Sequence, residues 1–145
     1  MFQRILVICT GNICRSPAAA ALLSKRLDNA GRDISVRSAG TGALIGHPAD
    51  NTMSQIAAEH GVSLTSHHGC QISIALTRWA ELILAMEPHH LDAIQELDPT
   101  TRGKTFLLGH WSSMTIPDPY RQPEAAYRHA FEQITQAVTD WEERL

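Results

Sequence analysis

Residues 4–9, Arg-Ile-Leu-Val-Ile-Cys, form an apolar, β-branched run that stops at Thr10-Gly11-Asn12 and meets Ser16-Pro17 shortly afterwards. This short segment constrains the fold more than any other. A brief run of that composition reads as a buried strand, and Gly11 and Asn12 mark a turn. Ser16 then reads as an N-cap and Pro17 as a first-turn proline. Ala18 to Asn29 carries strong helix formers, and Gly31 closes the helix. The chain therefore opens with a strand-turn-helix unit.

The alternation continues. Ser35 to Ser38 reads as a second strand, followed by a glycine-rich loop through Gly46. Ala49 to His60 reads as a helix ended by Gly61. Glu81 to Met86 reads as a third strand, with a helix the competing reading of so short an apolar run. Pro88 to Leu97 is expected to be helical and Lys104 to Leu108 to be a fourth strand. After Pro117, Pro119 and Pro123 a last helix carries Tyr127, Ala130, Phe131, Ile134, Val138, Trp141 and Leu145 on one face at a 3.6-residue period. Strands alternating with helices predict a parallel sheet covered on both faces.

Composition narrows the function classes. A length of 145 residues suits one domain, 1–145, and 43% hydrophobic against 19% charged residues supplies a sizeable core. A net charge of −3 and a pI near 6.2 lack the basic excess that nucleic-acid binding needs. The opening apolar run is too short to span a membrane or to act as a signal peptide. Three cysteines are an odd number, too few for a disulfide scaffold, and favour a reducing cytoplasm. Eight histidines invite a metal reading, but no cysteine pair is two apart, and His67-His68 and His89-His90 are adjacent rather than spaced for ligation. No metal and no cofactor is expected.

Ligands of open parallel sheets bind beyond the carboxyl ends of the strands, which here means Cys9. A loop running from a strand end into a helix turns successive N–H groups into one concavity with the helix dipole behind them. That is an anion site of phosphate size. Arg15 closes it and can hold two oxygens through its planar fork. The same field favours thiolate over thiol at Cys9, which would make it a nucleophile aimed at bound phosphorus. Cysteine and arginine at this spacing form a weak signal alone; the strand, glycine, cap and proline around them strengthen it. The bland alternative is a buried cysteine at a strand end.

The segment Cys9-Thr10-Gly11-Asn12-Ile13-Cys14-Arg15-Ser16 has the form C-x-G-N-x-C-R-S. In this it resembles the active-site loop of the low-molecular-weight protein tyrosine phosphatases. The resemblance extends over essentially the whole chain, through Ser38-Ala39-Gly40-Thr41, Ser66-His67 and Asp118-Pro119-Tyr120. His47-Pro48-Ala49-Asp50, Arg102-Gly103-Lys104 and Ile116 to Arg121 are most similar to the bacterial branch. That branch acts on autophosphorylating tyrosine kinases of capsule and exopolysaccharide export. The resemblance implies an α/β, three-layer fold with a central four-stranded parallel sheet in the order 2-1-3-4 and helices on both faces. It also implies a cytoplasmic monomer whose partner is a phosphotyrosine protein, the cytoplasmic tail of such a kinase.

Expelling a tyrosine oxygen needs a proton, because a phenol titrates near 10. Two Asp-Pro steps could supply the acid. Asp98-Pro99-Thr100-Thr101 reads as a turn starter, whereas Asp118 lies among prolines beside Tyr120, which can stack on an aromatic substrate. The residues by themselves leave both open; the resemblance selects Asp118. It further implies Cys9 as nucleophile, Arg15 as phosphate clamp, and Asn12 held by hydrogen bonds from Ser38 and His67. The Ser16 hydroxyl would ease departure of the Cys9 sulfur. Thr10, Gly11, Asn12, Ile13, Cys14, Ser16, Leu44 and Tyr120 would surround the substrate.

The chain departs from the family at two places. Ala43-Leu44-Ile45 stands where eukaryotic relatives have an aromatic residue, so less stacking is available. Gly69-Cys70-Gln71 stands where Ala-Arg-Gln is common. Cys14, in the same loop as Cys9, is either a small apolar filler or the partner of a reversible protective disulfide. Thiol-coupled arsenate reductases share the loop but need two further cysteines, and only Cys70 lies outside the loop here. A phosphate-binding module would need no acid.

Overall fold

The structure, a computed structural model, describes residues 2–145. Strand β1 (Arg4–Cys9) lies at the centre of a sheet with β2 (Ser35–Gly40), β3 (Leu82–Ala85) and β4 (Thr105–Leu107). All pairings are parallel and the order is β2-β1-β3-β4, as anticipated. The helices are α1 (Arg15–Asn29), α2 (Asn51–Glu59), α3 (Ile74–Trp79), α4 (Pro88–Leu97) and α5 (Glu124–Glu142).

The alternating side chains of β1 explain the layers. Ile5, Val7 and Cys9 face one cluster with Leu23 and Leu27 of α1, Met53 and Ile56 of α2, and Phe131, Ile134 and Val138 of α5. Leu6 and Ile8 face the other with Ile83, Ala85 and Ile94, against which Leu76, Trp79 and Leu91 pack from α3 and α4. Each of these β1 side chains is fully or almost fully buried. A buried Ile or Leu is worth about 1.5–3 kcal/mol, so a strand apolar on both faces is tolerated only in the middle of three layers. The helical reading of Glu81–Met86 fails because β3 pairs with β1 and β4 simultaneously.

Two local expectations are corrected. Helix α1 begins at Arg15, its N-cap residue is Cys14, and no side chain caps it. Ser16 is therefore inside the first turn and is not the N-cap. Its hydroxyl is engaged elsewhere, and Pro17 follows it within the same turn. Helix α3 was not foreseen. Its six residues are too few for a period to show, although Ser73 caps it by accepting from Leu76 N at 3.2 Å.

Pairing of β1 with β2 sets Cys9 beside Gly40, at the carboxyl edge of both strands. β3 ends two residues before Glu87, the N-cap of α4. Three loops therefore leave the sheet on the same side as Cys9.

Candidate active site

The loop after Cys9 owes its shape to its carbonyl groups. Cys9 O accepts from Thr41 N at 3.0 Å, Thr10 O from Gly42 N at 3.0 Å, and Gly11 O from Leu44 N at 3.0 Å. Asn12 O is 2.6 Å from His67 Nε2, Ile13 O accepts from Asp50 N at 2.7 Å, and Cys14 O from Ala18 N at 3.3 Å. Every carbonyl from Cys9 to Cys14 is thus drawn outward. In a trans peptide the N–H points opposite to the C=O, so the amides that follow converge inward as an anion nest. Gly40 must be glycine, because a Cβ there would collide with the Thr10 carbonyl oxygen.

Asn12 turns the loop with a positive φ of 56°, a region Asn reaches more readily than most residues. It is fully buried and tied at both polar atoms of its side chain. Its Nδ2 donates to Ser16 Oγ at 2.8 Å and to Ser38 Oγ at 3.0 Å. Its Oδ1 accepts from the backbone N of Cys70 at 2.8 Å. Two expectations are refined. Ser38 accepts from Asn12 rather than donating to it, and residue 70 braces the loop through its main chain, a bond that does not depend on which side chain stands there. Burial pulls the half-buried His67 ring below its ordinary value against the raising effect of its bond to Asn12, so the neutral ring donates from Nε2.

Cys9 forms the floor. Its Sγ is 2.9 Å from Ser16 Oγ. Because that oxygen already accepts from Asn12, its own proton is free to point at the sulfur and stabilise a thiolate. Cys14, the second buried thiol of the loop, is pushed above its ordinary value by burial first and then by Asp50 and Cys9. All three cysteines are free.

Arg15 is 1% exposed, an unusual depth for a guanidinium. One terminal nitrogen donates to Glu87 Oε1 at 2.5 Å and to the Ile116 carbonyl at 2.7 Å, and the other lies 3.9 Å from Asp118 Oδ2. Burial works against the charge on Glu87, but the hydrogen bond and charge of Arg15 outweigh it and hold the carboxyl below its ordinary value. The sequence reading missed Glu87. A signal existed: it follows the carboxyl end of β3, the same edge as Cys9.

The pocket is lined by Cys9 to Arg15 together with Leu44, Asp118 and Tyr120. Ser16, Ser38 and His67 stand behind this lining. The Asp118 side chain is about half exposed at the rim, and its Oδ1 accepts from Tyr120 N at 3.1 Å. Asp98, the competing acid, is occupied elsewhere, accepting from Thr77 Oγ1 at 2.8 Å and Thr100 Oγ1 at 2.6 Å. Glu87, His89 and His90 bring ligand-type atoms within 4.8 Å of one another. Glu87 is held by Arg15, however, and both nitrogens of His90 are engaged. An ion there would have to displace those bonds.

The model describing the "Low molecular weight phosphotyrosine protein phosphatase" family matches residues 4–145. The chain belongs to that family. Like its curated relatives it is a protein-tyrosine phosphatase. It is 45% identical to the low molecular weight protein-tyrosine-phosphatase Etp of Escherichia coli K12, over 99% of this chain and 95% of that one. Its fold matches that of Vibrio vulnificus Wzb, solved in complex with benzylphosphonate, with a TM-score of 0.95 and 41% identity over 100% of both chains. It also matches the YwlE arginine phosphatase of Geobacillus stearothermophilus, with a TM-score of 0.89 and 35% identity over 97% of this chain and 91% of that one. Among the described residues no helix is long and apolar enough to cross a membrane.

Proposed function

We propose that this phosphatase acts in two steps through a phosphocysteine. The outward-drawn carbonyls of Cys9 to Cys14 carry the reading, because they leave the amides that follow to the one pocket that Cys9 and Arg15 line. In the first step Cys9 attacks phosphorus and the bond to the phenolic oxygen breaks. Asp118, at the rim, gives its proton to that oxygen. In the second step Asp118 takes a proton from water as the water attacks phosphorus, and the sulfur leaves with the Ser16 hydroxyl donating to it. The nest and Arg15 hold the equatorial oxygens throughout. This chain's residues supply every role, with no metal invoked.

Ile13, Leu44 and Tyr120 on the walls suit an aromatic ring, and the benzylphosphonate bound by the Vibrio relative supports an aryl phosphate here. The proposed physiological substrate is the phosphotyrosine-bearing cytoplasmic tail of an autophosphorylating kinase of capsule or exopolysaccharide export. It rests on the likeness of residues 47–50, 102–104 and 116–121 to that branch.

The test is hydrolysis of phosphotyrosine peptides, phosphoarginine peptides and a phosphorylated kinase tail, with chelator present. Cys9→Ser should be inert. Asp118→Ala should lose about 10²–10⁴-fold in turnover of a phenyl ester while keeping phosphate affinity. Full turnover by Asp118→Ala would require another acid, and preference for phosphoarginine would overturn the substrate reading.

A further inference from the structure

His90 is fully buried at the third position of α4 and is not itself part of the pocket lining. Its Nδ1 accepts from the backbone N–H of Glu87 at 3.1 Å. A neutral imidazole that accepts at Nδ1 keeps its proton on Nε2. Burial, the neighbouring His89 and the Arg15 guanidinium pull this ring down to about 4, so it is neutral at pH 7. Nε2 lies 2.8 Å from Thr10 Oγ1, and the direction is then fixed: the ring donates and the threonine oxygen accepts.

That assignment leaves the Thr10 hydroxyl proton unspent. Among the described residues Thr10 Oγ1 has no hydrogen-bond partner other than His90. Thr10 lines the pocket beside Cys9, Leu44 and Asp118, where substrate or water can receive the proton. The turn Glu87 to His90 thus grips the cradle at both ends, Arg15 through the Glu87 carboxylate and Thr10 through the His90 ring.

We propose that the Thr10 hydroxyl is a binding donor for an oxygen of the bound aryl phosphate, and that His90 is the positioning residue that aims it by occupying the hydroxyl oxygen. This rests on the reading of Cys9 to Ser16 as a phosphate cradle. A methyl-for-hydroxyl replacement keeps the shape of the wall and removes the donor. Replacing His90 by an aromatic ring without nitrogen keeps bulk and releases the Thr10 rotor.

The experiment measures kcat and KM for an aryl phosphate, and the competitive inhibition constant of inorganic phosphate. The proteins are wild type, Thr10→Val, Thr10→Ser, His90→Phe, His90→Gln and Thr10→Val/His90→Phe. Thr10→Val and His90→Phe should each raise KM and the phosphate inhibition constant by about ten-fold, the size expected for one charge-assisted bond. The double variant should be no worse than Thr10→Val alone, because both changes remove the same donor. Thr10→Ser keeps the hydroxyl, and the His90→Gln side-chain amide can donate from nearly the same place, so both should stay close to wild type.

Thr10→Val with constants within about two-fold of wild type overturns the inference, even if His90→Phe fails to fold. So do single losses that multiply in the double variant. A wild type inert toward aryl phosphate overturns the cradle reading and this inference with it. An active wild type with an unaffected Thr10→Val overturns this inference alone.

Discussion

Glu87→Gln isolates the carboxylate nearest to buried Arg15, Asp118 lying farther off at 3.9 Å. The variant keeps size and one hydrogen bond but removes the negative charge 2.5 Å from the guanidinium. Breaking a fully buried pair costs about 3–5 kcal/mol. Glu87 keeps 28% of its side chain in solvent while Arg15 keeps 2%, so screening lowers the expected loss to about 2 kcal/mol. For a chain of this size that is a fall of about 4–8 °C in Tm. Bound phosphate places negative charge against the same guanidinium, so saturating phosphate should raise the Tm of Glu87→Gln by more than it raises that of wild type. The pH sign is fixed by the lowered Glu87 value. Its contribution is complete above the ordinary glutamate range and is lost as the pH falls through the folded value. The wild-type advantage should therefore shrink in acid. Thermal melts at neutral and acid pH, with and without phosphate, decide the matter. Equal melting temperatures, or an equal phosphate increment in both proteins, would refute the argument that Glu87 neutralises Arg15.

The remaining predictions follow from single contacts. Gly40→Ala drives a methyl into the Thr10 carbonyl, so it should lower stability by about 1–3 kcal/mol and reduce kcat/KM, read by urea melts and steady-state rates. Ser16→Ala removes the hydroxyl 2.9 Å from Cys9 Sγ. Intermediate breakdown should slow by about ten-fold or more, and a burst of released phenol should appear in rapid-mixing traces. His90 is buried neutral and pulled down to about 4. The unfolded chain takes up its proton from about 6.5 downward, so wild-type stability should fall as pH drops from 6.5 towards 4. His90→Phe should flatten that slope in denaturant titrations. Asn12→Gly admits the φ of 56° but drops the side-chain ties. Activity as low as in Asn12→Ala would assign the loop shape to those ties, and near-wild-type activity would assign it to the backbone angle.

The sheet was legible because its signal is local. An apolar β-branched run such as Ile5–Ile8 means the same thing wherever it occurs, and the strand-helix alternation then limits the topology. The boundaries were less legible where the site intervenes. Ser16 has the residue type of an N-cap, yet its oxygen is taken by Asn12 and Cys9. The cradle puts those contacts ahead of capping, and the first-turn amides are left to face the pocket. α3 escaped notice because six residues show no period. Cys9 and Arg15 could be picked out from the strand, turn and helix around them, whereas the residues alone left Asp118 level with Asp98 and the family resemblance separated the two. Glu87 carried only the signal of its place after β3, and His90 none, since a glutamate and a histidine at the start of a helix look like ordinary surface residues.

What separates the legible half of the site from the rest is the origin of its geometry. The loop contains the groups that would touch phosphate, but little in its own sequence forces its carbonyls outward. Thr41, Gly42, Leu44, Asp50 and His67 do that from segments that follow β2, and Cys70 N secures the Asn12 side chain from a further segment. Each bond is worth about 1 kcal/mol by itself, yet together they hold several convergent amides that would otherwise repel one another when no anion is present. The shape of the cradle is thus held by contacts distant in sequence. A peptide spanning Met1 to Asn29 would contain Cys9, Arg15 and the whole loop, but it would lack every one of those outward acceptor bonds except that of Cys14 to Ala18. It should bind phosphate no better than an unstructured peptide of the same charge.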